Sequence, residues 1–170
     1  MILAGVSGSG KTTVGSLLAG RLGWPFAEGD SFHPPANIAK MTAGIPLTDA
    51  DRWPWLAAIR AWIDARIAAG GSGVVACSAL KRSYRDYLRE GRPDVRLVFL
   101  DVSHDQDLAR LRARRGHFFP PRLLDSQFAD LEPPHPDEDA LVLTASASPD
   151  ELVRQILSGL GIRKPTGPCG

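Results

Sequence analysis

Gly5-Val6-Ser7-Gly8-Ser9-Gly10-Lys11-Thr12 is the stretch that decides the fold. It matches the pattern G-x-x-x-x-G-K-[ST] at every fixed position. Glycines let the backbone curl until successive N–H groups face one anion. A short apolar run, Ile2 to Ala4, precedes the loop, and Val14, Leu17, Leu18 and Leu22 follow it at helical spacing. The context is thus strand, loop, helix, and the positive end of that helix adds to the attraction for phosphate. In such a loop Lys11 reaches the β- and γ-phosphates of a nucleotide, and the Thr12 hydroxyl takes a Mg²⁺ position. The expected nucleotide-binding residues are Gly5, Val6, Ser7, Gly8, Ser9, Gly10, Lys11, Thr12 and Thr13. Lys11 is also expected to be catalytic. Gly8 and Gly10 fit a loose G-x-G-x-x-G as well, but Thr13 stands where its last glycine would be, which disfavours a nicotinamide cofactor.

Outward from the loop, short apolar runs alternate with helical patterns. Strands are expected at 24–27, 74–77, 97–100 and 141–143. Leu56, Ile59, Ile63 and Ile67 form one helical stripe, ended by Gly70, Gly71 and Gly73. Further helices are expected over 36–41, 83–90 and 105–115, with about one turn near 123–128. Ser148-Pro149-Asp150-Glu151 reads as a capping box with proline at the first helical position. Five strands alternating with helices predict an α/β domain with a parallel sheet. Its ligands would lie beyond the carboxyl ends of the strands. Residues 1–162 are expected to form one domain, with 163–170 a frayed tail.

Composition narrows the function. The 170 residues are 44% hydrophobic and 23% charged, with a net charge of +1. That balance gives no global pull toward nucleic acid or membrane. The local charge is uneven: Arg110, Arg112, Arg114, Arg115 and Arg122 fall in a stretch with no acid between Asp107 and Asp125. A local anion site is the better reading of it. Cys77 and Cys169 allow neither a disulfide framework nor zinc spacing, which fits a reducing cytoplasm. The opening residues lack the charged start and length of a signal peptide, and no apolar run approaches a membrane span.

After the second strand comes Glu28-Gly29-Asp30. Asp30 stands where an acid could contact the Mg²⁺ shell or accept a proton from an attacking hydroxyl. The third strand ends in Cys77-Ser78, where many proteins with this loop carry a metal-holding Asp. Ser78 in that place argues against a motor or GTPase.

Several segments resemble the gluconate kinase (gluconokinase) family of P-loop kinases. They are Gly5 to Thr12, Gly29-Asp30-Ser31-Phe32-His33-Pro34, Asn37-Ile38, Lys40-Met41 and Gly44 to Arg52. Trp55-Leu56, Cys77 to Lys81, Tyr84-Arg85-Asp86, Arg112, Arg115 to Phe119 and Gln127-Phe128 continue the likeness. It covers nearly everything except the tail. It implies a three-layer shikimate-kinase-like P-loop kinase fold with strand order 2-3-1-4-5 and a mobile lid at about 113–136. It also implies ATP and Mg²⁺, the latter on Thr12 and Asp30, and transfer to the 6-hydroxyl of gluconate.

His33, Lys40, Arg52, Ser78, Lys81, Arg85 and His117 are then expected at the substrate beside Asp30. Arg52 and Arg85 are read as a fork for a carboxylate. Arg110 is implied for adenine, and Arg114 or Arg115 for phosphate, with Arg114 counted as catalytic. Family members often dimerise, so a homodimer is an expectation of the resemblance. They often carry residues before the first strand, so a slightly frayed first strand is expected in this chain. Alternatives from the sequence are a kinase of another sugar acid or a shikimate-like acid, and a non-catalytic nucleotide switch. A nucleic-acid 5′-end kinase is disfavoured by the lack of a basic stripe.

Overall fold

A computed structural model describes residues 1–106, 108 and 121–162. The order of elements is β1 (Ile2–Ala4), α1 (Lys11–Leu22), β2 (Phe26–Glu28), a 3₁₀ turn (Gly29–Phe32), α2 (Pro35–Thr42), α3 (Asp49–Ala68) and β3 (Val74–Ala76). There follow α4 (Arg82–Arg89), β4 (Leu97–Asp101), α5 (Pro121–Asp130), a second 3₁₀ turn (Pro136–Glu138), β5 (Ala140–Thr144) and α6 (Pro149–Gly159). The strands form one sheet in the order β2-β3-β1-β4-β5, parallel at every pairing.

Both faces of that sheet are covered, which is why its strands read as unbroken apolar runs. Successive residues point to opposite sides. Ile2, Ala4, Val75, Leu97 and Phe99 pack with Trp55, Leu56 and Ile59 of α3 and Tyr84 and Leu88 of α4. Leu3, Val74, Val98 and Leu100 pack on the other side with Val14 and Leu18 of α1 and Leu152, Val153 and Ile156 of α6. Each such fully buried large side chain is worth roughly 1.5–3 kcal/mol relative to exposure.

Several sequence expectations need correction. The first strand is not frayed: β1 is the central strand, Ile2 to Ala4 are fully buried, and the Met1 amino group donates to the Gly73 carbonyl at 2.8 Å. Pairing on both edges is what holds so short a strand. Around 123–128 lies a ten-residue helix, not one turn, because Leu123 and Leu124 are buried. Helix α3 starts at Asp49, well before its apolar stripe, on a capping box between Thr48 and Asp51. Ile67, at the far end of that stripe, is exposed. At Ser148 only half of the expected box forms: the hydroxyl accepts from the Glu151 amide, while the Glu151 carboxylate pairs with Arg154 and Gln155. Residues 104–106 and 108 are helical as expected. The rest of that stretch, the lid portion 113–120 and the tail 163–170 lie outside the described residues. No helix among the described residues is long and apolar enough to cross a membrane.

Two backbone features position the site. A Cβ at Gly29 would lie 2.1 Å from the Ala76 carbonyl oxygen, so only glycine lets the end of β2 approach β3 this closely. The Trp55 indole donates to the Gly29 carbonyl at 2.7 Å, which fixes the turn that carries Asp30. After β3, Ala79 adopts φ +38°, a left-handed conformation costly for a residue with a Cβ. The buried Arg85 guanidinium holds this loop, donating to the carbonyls of Ala79 at 3.3 Å and Leu80 at 2.8 Å.

Candidate active site

The phosphate loop leaves β1 and enters α1. Gly5, Gly8 and Gly10 have φ of +140°, +92° and +99°, which glycine adopts without strain. A Cβ at Gly5 would meet the Leu100 carbonyl at 2.7 Å. The Gly5 amide donates to the Ser78 carbonyl at 3.3 Å, so the loop is tied to the end of β3. The Lys11 ammonium donates to the Val6 carbonyl at 2.7 Å, folded back over the loop it closes. Thr12 donates its hydroxyl to the Glu28 carboxylate at 2.6 Å. Ser7 donates its amide to the Gln127 side-chain oxygen, 2.7 Å away on α5.

Beside the loop lies a half-open pocket. Ser7 and Lys11 line it on the phosphate side. Asp30, His33, Arg52 and Ser78 supply polar walls, and Met41, Leu47, Trp55 and Leu80 supply apolar ones. His33 stacks on Trp55 with ring centroids 4.4 Å apart and planes at 13°. Its Nδ1 lies 3.2 Å from the Asn37 amide nitrogen. Burial pushes the His33 imidazole below its ordinary value, with Asp30 raising it and Arg52 lowering it. Arg52 is 8% exposed and donates to Asp130 at 2.7 Å and to the Tyr84 hydroxyl at 3.2 Å. A guanidinium held on two partners keeps its remaining N–H groups in a fixed plane.

Of the residues selected from sequence, the structure brings Ser7, Lys11, Asp30, His33, Arg52 and Ser78 to one pocket. Lys40 and Lys81 are not among its lining residues. Lys40 pairs with Asp51 at 2.6 Å and Lys81 with Asp49 at 2.8 Å. Arg85 is a correction. It is fully buried and forms a two-pronged pair with Glu138 at 2.6 and 2.8 Å, so no fork is left for a substrate carboxylate. Its place on the inner face of α4, under the 77–81 loop, is the reason. Arg110, Arg114, Arg115 and His117 lie outside the described residues.

Sequence reasoning passed over Glu28 and gave Gln127 no role. The signal for Glu28 was its position at the strand end, one residue from Gly29. For Gln127 only tertiary contact carries it. The donor set at the loop mouth, a hydroxyl with the carboxylates Glu28 and Asp30, is all hard oxygen, which suits Mg²⁺. No group of three or more His, Cys, Asp or Glu able to hold a metal occurs among the described residues.

A phosphate loop that shares one pocket with the Asp30 carboxylate, at the carboxyl ends of a parallel sheet, is the arrangement of a P-loop kinase. The shikimate kinase family model matches residues 7–160. A gluconokinase from Gluconobacter oxydans is 48% identical over 157 residues, spanning 92% of this chain and 88% of that protein. The crystal structure of a gluconokinase from Sinorhizobium meliloti superposes with a TM-score of 0.84 at 48% identity, covering 94% of this chain and 90% of that one. An unliganded sugar kinase from Janibacter superposes at 0.89 with 50% identity, over 95% and 93% of the two chains. The chain belongs to the gluconokinase family.

Proposed function

We propose that this protein transfers the γ-phosphoryl group of ATP to the 6-hydroxyl of gluconate, giving 6-phosphogluconate and ADP. The observation that carries this reading is that Lys11 and Asp30 line one pocket, at the carboxyl ends of β1 and β2. Phosphoryl transfer depends on positioning and charge, and these two residues supply both.

The loop amides and Lys11 would hold the phosphates. When bound, Mg²⁺ supplies charge neutralisation on the phosphate oxygens. Thr12, with Glu28 and Asp30 through water, would hold it. Asp30 orients the acceptor hydroxyl and takes up its proton. His33, kept neutral by burial, offers a hydrogen bond to the polyol. Arg52 faces the carboxylate of the sugar acid from its fixed plane. The stacked His33 and Trp55 rings wall the pocket and limit water. The reading places the enzyme in the cytoplasm, as a homodimer that sedimentation would test.

The test is Asp30→Asn. The amide keeps the shape but takes no proton, and general-base loss costs about 10²–10⁴-fold in rate. Turnover against gluconate should fall by that much, while affinity for an ATP analogue stays within about threefold, because the loop from Gly5 to Thr12 is untouched. An unchanged turnover number removes Asp30 from the chemistry.

A further inference from the structure

The Ser7 amide, in the phosphate loop, donates to the Gln127 side-chain oxygen at 2.7 Å across 120 residues of sequence. Amides of such loops ordinarily point their N–H groups at an anion. Here a neutral carbonyl from another element takes one of them. A neutral acceptor fixes the curvature of the loop without the repulsion that a carboxylate would impose on an arriving phosphate.

The element that carries Gln127 also touches the other half of the pocket. Leu123, Ser126 and Gln127 of α5 all line it. Asp130, three residues beyond Gln127 and so on a neighbouring position of the same helix face, accepts from Arg52 at 2.7 Å. One helix therefore holds the phosphate loop at one point and the cation of the acceptor wall at another.

We propose that Gln127 is a positioning residue for phosphoryl transfer. It sets the phosphate loop from α5, and with Asp130 it makes that helix a strut between the nucleotide and acceptor halves of the site. The proposal rests on the kinase reading. A shift of loop and acceptor wall by about 1 Å is enough to cost on the order of 10² in rate, and loss of either contact frees the strut to move.

The test uses the full chain and three variants: Gln127→Ala, Gln127→Glu and Asp130→Asn. Steady-state rates with ATP and gluconate are measured, with binding of a non-hydrolysable ATP analogue in the presence and absence of gluconate. In Gln127→Ala, kcat should fall about tenfold to a hundredfold while KM for gluconate stays within about threefold. Gln127→Glu can still accept from Ser7 but places a charge beside the phosphates, so analogue affinity should fall at least about tenfold. Both Gln127→Ala and Asp130→Asn should abolish any effect of gluconate on analogue binding.

A purely structural role would lower the melting temperature and leave the kcat of the folded fraction intact, which would overturn the proposal. So would a Gln127→Ala variant within about twofold of the parent in kcat. Gln127→Asn, which keeps the amide but shortens its reach, gives the same reading if Gln127→Ala fails to fold. If the parent chain itself shows no turnover, the kinase reading has failed. The strut is then judged on analogue binding alone, where Gln127→Glu must still weaken affinity.

Discussion

The Thr12 hydroxyl donates to the Glu28 carboxylate at 2.6 Å, tying the second residue of α1 to the last residue of β2. The hydroxyl expected on Mg²⁺ is thus already oriented by an acid, and Glu28 would help hold the ion through water. Glu28→Gln keeps the size and removes the charge. The Mg²⁺ concentration needed for half-maximal turnover should rise about tenfold to a hundredfold, the usual cost of losing an outer-shell carboxylate. A Mg²⁺ titration of turnover checks this, and an unshifted curve would exclude Glu28 from the metal's surroundings.

Lys11 lies over the loop on the Val6 carbonyl rather than in either core cluster. Lys11→Ala should therefore melt within a few degrees of the parent while turnover falls by at least about 10²-fold, as when one preorganised charge-stabilising donor is lost. Thermal unfolding and an ADP-release assay on the same sample measure both. A folded variant with near-normal turnover would contradict the role of the loop.

Arg85 and Glu138 are each 1% exposed and paired at 2.6 Å. Removing one partner leaves a buried charge, so Glu138→Ala should cost about 3–5 kcal/mol in denaturant unfolding. Arg85 first, and the His135 amide next, hold the Glu138 carboxyl below its ordinary value against the opposing effect of burial. This stabilisation is present above the unfolded carboxyl value and is lost as pH falls through the depressed folded one. At permissive temperature, KM for gluconate should change less than about threefold in an Arg85→Lys variant. A large KM change would return Arg85 to the substrate.

His33 works in the opposite direction from a salt-bridged histidine. Burial lowers its value from 6.5 in the folded protein, so the unfolded chain binds a proton first as pH falls. Its contribution to stability is full above about 6.5 and is lost between that value and the lower folded one. Unfolding free energy should therefore decline from neutral pH toward the acid side, and His33→Gln should flatten that part of the profile. An identical slope in the variant would show that another group is responsible.

Strand order was within reach of the sequence because the phosphate loop and the family likeness fix the topology, and the apolar runs mark each strand. Boundaries were less so. Helix α3 begins at a Thr48–Asp51 cap seven residues before Trp55, its first deeply buried hydrophobic residue, and polar positions carry no period to read. Asp30 and Ser78 could be found from their places after strands. Arg85 could not be told from Arg52, since both are arginines at family positions. Only packing shows that one is sealed against Glu138 and the other opens on the pocket. Gln127 meets Ser7 across 120 residues, a proximity that no local pattern encodes.

The product identifies the acceptor most directly. The chain is incubated with ATP, Mg²⁺ and, in separate reactions, gluconate, other aldonates and shikimate, and each mixture is followed by ³¹P NMR. ADP should appear in stoichiometric step with a phosphomonoester on the primary 6-hydroxyl of gluconate, formed faster than with any other acceptor and lost in Asp30→Asn. ADP release that ignores gluconate, or phosphorylation of shikimate in its place, would contradict it.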